Sequence, residues 1–183
     1  DLHTHGICGY DFMDAQIEGA CSAMQAYARH GVTGVFPTTM SAPYAQLRQA
    51  LDALSKTDFS AVGGACFLGA HIEGPYFSPE QCGAQPPSEL RLPEDGEYKS
   101  LIQEYPFVRR VDGAPELAGA FDMARELTRH GLICGIAHTN ADAKTVLAAI
   151  GAGYSIATHL YSGMSGVHRE NGYRIAGAVE ACL

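Results

Sequence analysis

Two hydrophobic periodicities take turns along the 183-residue chain. Apolar residues three or four positions apart predict helices, because that spacing lines one face of a 3.6-residue turn. Ile17, Ala20, Cys21, Met24 and Ala28 mark one over residues 15–30, with Asp14 as its N-cap and Gly31 as its stop. Leu47, Ala50, Leu51 and Leu54 mark a second over 44–56, and a short third covers 97–105. Leu117, Ala120, Phe121, Ala124 and Leu127 mark a fourth over 116–130, closed by Gly131. A fifth, of about ten residues, is capped by Thr139 or Asn140 and stops at Gly151.

Between them lie short apolar blocks that read as strands: 32–37, 61–72, a weaker 108–115, 132–137 and 154–157. Continuous apolar runs of this kind, above all 61–72, mark strands covered on both faces. Residues 6–11 form a glycine-punctuated loop, 76–95 a long Pro- and Gln-rich loop, and a Gly- and Ser-rich loop runs on to Arg174. Strand, helix, strand, helix in units of 20–40 residues implies parallel strands with helical crossovers, an α/β fold. The echo of Arg29-His30-Gly31 in Arg129-His130-Gly131 belongs to two helix ends, where a histidine suits the dipole and glycine the left-handed cap.

Two parallel architectures fit. An open nucleotide-binding sheet needs a Gly-x-Gly-x-x-Gly turn after the first strand, and Gly6-Ile7-Cys8-Gly9-Tyr10-Asp11 does not supply it. A (β/α)8 barrel places polar functional residues at the C-terminal ends of several strands. The chain does this repeatedly. His3 and His5 sit one residue apart at the end of a first extended segment, where both imidazoles face one way. Glu73 ends another strand, and His138 and His159 end two later ones. Imidazole nitrogen and carboxylate oxygen are the ligands of a catalytic zinc or similar divalent ion. Such an ion acidifies water and polarises a carbonyl, so amide or ester hydrolysis is the natural chemistry. A single histidine at a strand end is more often satisfied by a carbonyl, but that reading explains the whole set badly. His71, two residues before Glu73 on the same face, reads as a ligand, a partner of the ligands or a buried hydrogen-bonded histidine, and the partner role suits it best.

Composition narrows the choice little: 46% hydrophobic and 17% charged residues are ordinary for a globular protein. A formal charge of −8 argues against nucleic acid or an anionic membrane as partner, so an anionic substrate needs a local cationic site. No run of about 18 apolar residues suits a membrane span. The six cysteines show no Cys-x-x-Cys spacing and mostly lie in apolar runs, which suits a reduced, intracellular setting. The chain begins without Met and stops within an apolar segment, as expected for a piece of a longer polypeptide.

Four stretches together closely resemble the N-acetylglucosamine-6-phosphate deacetylase family, metal-dependent members of the amidohydrolase superfamily. They are Asp1-Leu2-His3-Thr4-His5-Gly6, His71-Ile72-Glu73-Gly74-Pro75, residues 135–141 around His138, and Ala157-Thr158-His159-Leu160-Tyr161. The resemblance implies a TIM-type barrel of the amidohydrolase kind, with residues 1–183 as an incomplete catalytic barrel of the first five or six βα units. A small β-sandwich domain and the last strands are expected outside this chain. So is the aspartate acting as general acid and base, beyond Leu183, so no catalytic residue is expected within the chain.

The resemblance further implies that Glu73, His138 and His159 hold the principal ion and that His3 and His5 hold a second. One or two divalent ions are expected, zinc first, with iron, manganese or cobalt also accepted. It places the sugar phosphate against Ala84, Ser162, Gly163 and either His168 or Arg169. Family members usually carry Asn-Ala in place of Ser162-Gly163 and His in place of Gln85, and the stretch from His159 to Arg169 is one residue shorter than usual. A cytoplasmic, homodimeric full-length enzyme is expected, releasing acetate from N-acetylglucosamine 6-phosphate. The alternatives are the galactosamine epimer as substrate, or a non-catalytic metal- or sugar-phosphate-binding module. A cyclic-amide substrate is disfavoured, since no lysine stands near Val111-Asp112-Gly113.

Overall fold

The computed structural model describes residues 1–183, which divide into two compact units. Asp1–Glu73 and Glu97–Arg109 form the first; Gly74–Gly96 and Arg110–Leu183 form the second.

In the first unit, residues 1–5 lie alongside 34–38. The Phe36 N–H donates to the Asp1 carbonyl and the Thr38 N–H to that of Thr4, both at 2.9 Å. The expected loop at 6–11 is a small antiparallel hairpin, β1 (Gly6–Ile7) with β2 (Tyr10–Asp11). Gly6 is required there, because a Cβ would lie 1.9 Å from the Tyr10 carbonyl oxygen. The first helix, α1 (Ile17–Arg29), starts later than the pattern predicts. Asp14 is not its cap: it closes a short 3-10 turn, Phe12–Asp14, through a capping box with Asp11, and Ala15 then adopts a left-handed φ of 55°.

β3 (Gly34–Val35) pairs in parallel with β4 (Cys66–Phe67). The predicted strand 61–72 is broken, since a 3-10 turn (Phe59–Ala61) opens it and Gly69 separates β4 from β5 (Ala70–Ile72). Gly69 has φ +126°, and a Cβ there would stand 2.4 Å from Arg109 Cγ. Only β5 is buried throughout; Cys66 and Leu68 are exposed. α2 (Tyr44–Lys56) and α3 (Glu97–Glu104) follow the predicted bounds. Leu47 and Leu51, with no exposed surface, each stabilise the unit by roughly 1.5–3 kcal/mol.

β6 (Val108–Gly113) carries the chain into the second unit, where it pairs in parallel with β7 (Ile133–Ile136), itself parallel to β8 (Tyr154–Ala157). The crossovers are α4 (Ala120–Arg129) and α5 (Ala143–Ala152), as the alternating pattern implies. Both begin later than predicted. Glu116 is drawn away from α4, since its carboxylate accepts from the Asn140 N–H (2.6 Å) and the Thr139 hydroxyl (2.5 Å). Thr139 and Asn140 are thereby occupied, and Asp142 caps α5 by accepting from the Thr145 N–H at 2.7 Å. Gly153, not Gly151, ends that helix.

The stretch expected as loop to Arg174 contains an antiparallel hairpin, β9 (His168–Glu170) with β10 (Tyr173–Ile175). Its two-residue turn, Asn171-Gly172, has positive φ at both positions (48° and 85°), the geometry that matches strand twist. A last short helix, α6 (Ala178–Cys182), follows. No helix is long and apolar enough to cross a membrane.

Candidate metal centre

In the first unit, the extended backbone at residues 1–5 turns the His3 and His5 rings to one side, their centroids 5.1 Å apart and edge to face. Both meet Glu73. His3 Nε2 lies 3.5 Å and His5 Nε2 3.2 Å from the two carboxylate oxygens, and Glu73 is buried. Ligand atoms of the three side chains all lie within 4.8 Å of one another. This donor set of two borderline nitrogens and one hard oxygen fits a divalent transition ion.

The segment is clamped by Tyr27 and Thr38, which no sequence pattern singles out. The Tyr27 hydroxyl donates to the Gly6 carbonyl at 2.8 Å and touches the Thr4 hydroxyl. Thr38 Oγ1 accepts from the Thr4 N–H at 3.0 Å and lies 3.2 Å from Nδ1 of the buried His71. The Thr38 carbonyl is 3.3 Å from His5 Nδ1. Burial pulls the His5 imidazole toward its neutral form, but the Glu73 carboxylate, with help from the Thr38 carbonyl and Asp11, more than offsets this and raises its pKa. A metal held here competes with a proton for that nitrogen.

In the second unit, His138 and His159 each stand two residues beyond the ends of β7 and β8, and their rings meet edge to face with centroids 4.8 Å apart. Both residues have left-handed backbones, φ 45° and 34°, uncommon for side chains of this size. His138 Nδ1 donates to the Gln81 carbonyl at 2.8 Å, and His159 Nδ1 to the Ser162 carbonyl at 2.9 Å. With His5 on the Thr38 carbonyl, three imidazoles thus turn Nδ1 to a backbone oxygen. That is the outer support that metal-ligating histidines carry.

The residues expected near a sugar phosphate are also in this unit. Gly163 lies against His138: its φ is +63°, and a Cβ there would be 3.0 Å from His138 Nδ1. The contact gives a physical reason for glycine at this position. Ala84 and Ser162 are exposed, whereas Gln85 is buried. His168 and Arg169 are adjacent on β9 and point to opposite faces of the hairpin. Arg174 stands directly across from Arg169 in the register, and both are exposed. The turn signal Asn171-Gly172 would have revealed this pairing from the sequence. Like charges placed opposite each other are unfavourable until an anion lies between them.

No family model matches the chain. It is 37% identical over 174 residues to the N-acetylglucosamine-6-phosphate deacetylase of Vibrio furnissii, a match covering 93% of this chain and 43% of that protein. It is 35% identical over 182 residues to the N-acetylgalactosamine-6-phosphate deacetylase of Escherichia coli O157:H7, covering 98% and 48%. Among solved structures, the N-acetyl-D-glucosamine-6-phosphate deacetylase of Mycobacterium smegmatis, including a mutant in complex with N-acetyl-D-glucosamine-6-phosphate, matches with TM-score 0.89 at 29% identity. That match covers 99% of this chain and 46% of the solved one. The Pasteurella multocida deacetylase gives TM-score 0.86 at 25% identity. The chain spans less than half the length of the relatives it matches.

Proposed function

We propose that this chain is the metal-binding core of an N-acetylglucosamine-6-phosphate deacetylase of the amidohydrolase superfamily, an amide hydrolase that releases acetate from the amino-sugar phosphate. The observation that carries the reading is the shared support of His5, His138 and His159, each with Nδ1 on a backbone carbonyl. Similarity to deacetylases over more than nine-tenths of the chain supports the substrate class.

In this reading Glu73, His138 and His159 are ligands of the principal ion, and His3 and His5 join Glu73 around a second. Zinc heads the candidates, and iron, manganese or cobalt suit the same donors. A divalent ion bound there supplies Lewis acidity toward the acetyl carbonyl and toward water. The protein's own part is to aim the imidazoles through the carbonyls at Nδ1, and to seat the substrate. Ala84, Ser162, Gly163 and His168 are the proposed sugar contacts, and Arg169, with Arg174 beside it, the proposed phosphate partner, since a guanidinium fork matches phosphate oxygens. The remaining barrel strands, the small β-sandwich domain and the acid-base aspartate belong to the rest of a cytoplasmic, homodimeric parent protein. The first five or six βα units of a (β/α)8 barrel are then what residues 1–183 contribute.

The test is deacetylation of N-acetylglucosamine 6-phosphate and its galactosamine epimer by the full-length, metal-loaded protein. Activity on neither substrate contradicts the reading, and the ratio of kcat/KM assigns the epimer. Arg169→Met is expected to raise KM for the phosphorylated sugar by about ten- to a hundredfold with kcat largely kept, as for loss of a charge-assisted bond made equally in ground and transition states. Steady-state kinetics with and without the 6-phosphate check this. Equal KM for wild type and variant would remove Arg169 from the phosphate site.

A further inference from the structure

Inside the second unit, away from solvent, Arg110 and Asp112 form a two-pronged ion pair. Arg110 Nε donates to one carboxylate oxygen of Asp112 at 2.9 Å and Nη2 to the other at 3.1 Å. The two residues are two apart on β6, so their side chains leave the same face of the strand. Arg110 is 2% exposed and Asp112 0%. The pair closes on a third group: the Thr158 hydroxyl donates to Asp112 and accepts from Arg110. β7 makes room with Gly135, which is opposite Asp112 in the register.

A buried ion pair is poor evidence of a stabilising device, because desolvation of both charges offsets much of their attraction. The third member is what distinguishes this one. Thr158 directly precedes His159, whose left-handed backbone must be held in place by its surroundings. Thr158 is fixed twice, by its N–H on the Ile136 carbonyl at 2.9 Å and by its hydroxyl in the Arg110–Asp112 fork. Beyond it, His159 is fixed at its far side by Nδ1 on the Ser162 carbonyl. The imidazole is therefore aimed by two anchors, one on each side in the chain.

We propose that the Arg110–Asp112 pair is a positioning device for His159, acting through the Thr158 hydroxyl. The inference rests on His159 being a metal ligand, and its test separates the two ideas. Zinc affinity is measured by chelator competition on the full-length protein, its Thr158→Val and Thr158→Ser variants, and His159→Ala as reference, together with the melting temperature of each metal-free protein. Thr158→Val is expected to weaken the zinc site that His159→Ala removes by about 10- to 100-fold, the usual effect of losing a ligand's outer support. Thr158→Ser, which keeps the hydroxyl, is expected to bind zinc like wild type.

Wild-type affinity in Thr158→Val overturns the inference, as does a variant that lowers only the melting temperature. If His159→Ala leaves the metal site of wild type unaltered, the failure lies with the ligand assignment, and the inference falls with it. Should Thr158→Val fail to fold, Arg110→Lys repeats the test, since it keeps the charge and loses the fork. If neither variant folds, the pair is a requirement of folding and its positioning role is refuted.

Discussion

Glu73→Gln in the full-length protein is expected to lower kcat/KM for the amino-sugar phosphate by about a thousandfold or more, the scale of losing a catalytic ion. Glutamine keeps the shape of the side chain but cancels the charge that faces His3 Nε2 and His5 Nε2 at 3.5 and 3.2 Å. A neutral amide oxygen is a far weaker ligand for a divalent cation, and the buried position lets no nearby water take its place. The imidazoles, no longer drawn to a carboxylate, also lose the interaction that raises the His5 pKa. Steady-state kinetics and metal content of the purified variant check this together. Near-normal turnover with normal metal content would remove Glu73 from the centre.

Gly135→Ala is expected to be the most damaging single methyl group in the second unit. Its Cβ would lie 2.1 Å from Asp112 Oδ1 and 3.2 Å from Ile156 Cγ2. The carboxylate cannot step aside, because both of its oxygens are held by Arg110 and one also by Thr158. Either the buried pair separates or β7 moves from its neighbours. Breaking a buried pair costs about 3–5 kcal/mol, which for a chain of this size is a fall of roughly 10 °C in Tm. Thermal unfolding of the two proteins side by side is the check, and equal Tm values would mean that Asp112 and Gly135 are not so close. The same buried charge, after burial itself, keeps the neighbouring Cys134 thiol protonated, so this cysteine is expected to resist alkylation until the protein unfolds.

Much of this arrangement was legible from spacing. His3 and His5 one residue apart, and His138 and His159 each closing an apolar block, are local patterns, and local patterns survive folding. Helix interiors were equally clear, since Leu47, Leu51, Ala124 and Leu127 announce their buried face by period alone. Element ends were not. Thr139 and Asn140 are as good N-caps as Asp142, and what decides among them is Glu116, 23 and 24 residues earlier, which takes the first two as its own partners. The run 61–72 reads as one strand because composition does not reveal that Arg109 and Phe107 press on Gly69. Asn171-Gly172 was a usable hairpin signal, and with it the Arg169–Arg174 pairing could have been drawn. The Arg110–Asp112–Thr158 ring could not, because Thr158 lies 46 residues from Asp112 and only the parallel register of β6, β7 and β8 brings them together.

The central claim is that strand-end histidines hold a catalytic ion, and elemental mass spectrometry of the full-length protein tests it most directly. Wild type and a His138→Ala, His159→Ala double variant are compared after identical preparation with zinc or iron supplied. One or two ions per chain in wild type, with at least one lost in the variant, is the predicted result. No tightly held metal in wild type, or the same content in both proteins, would contradict it.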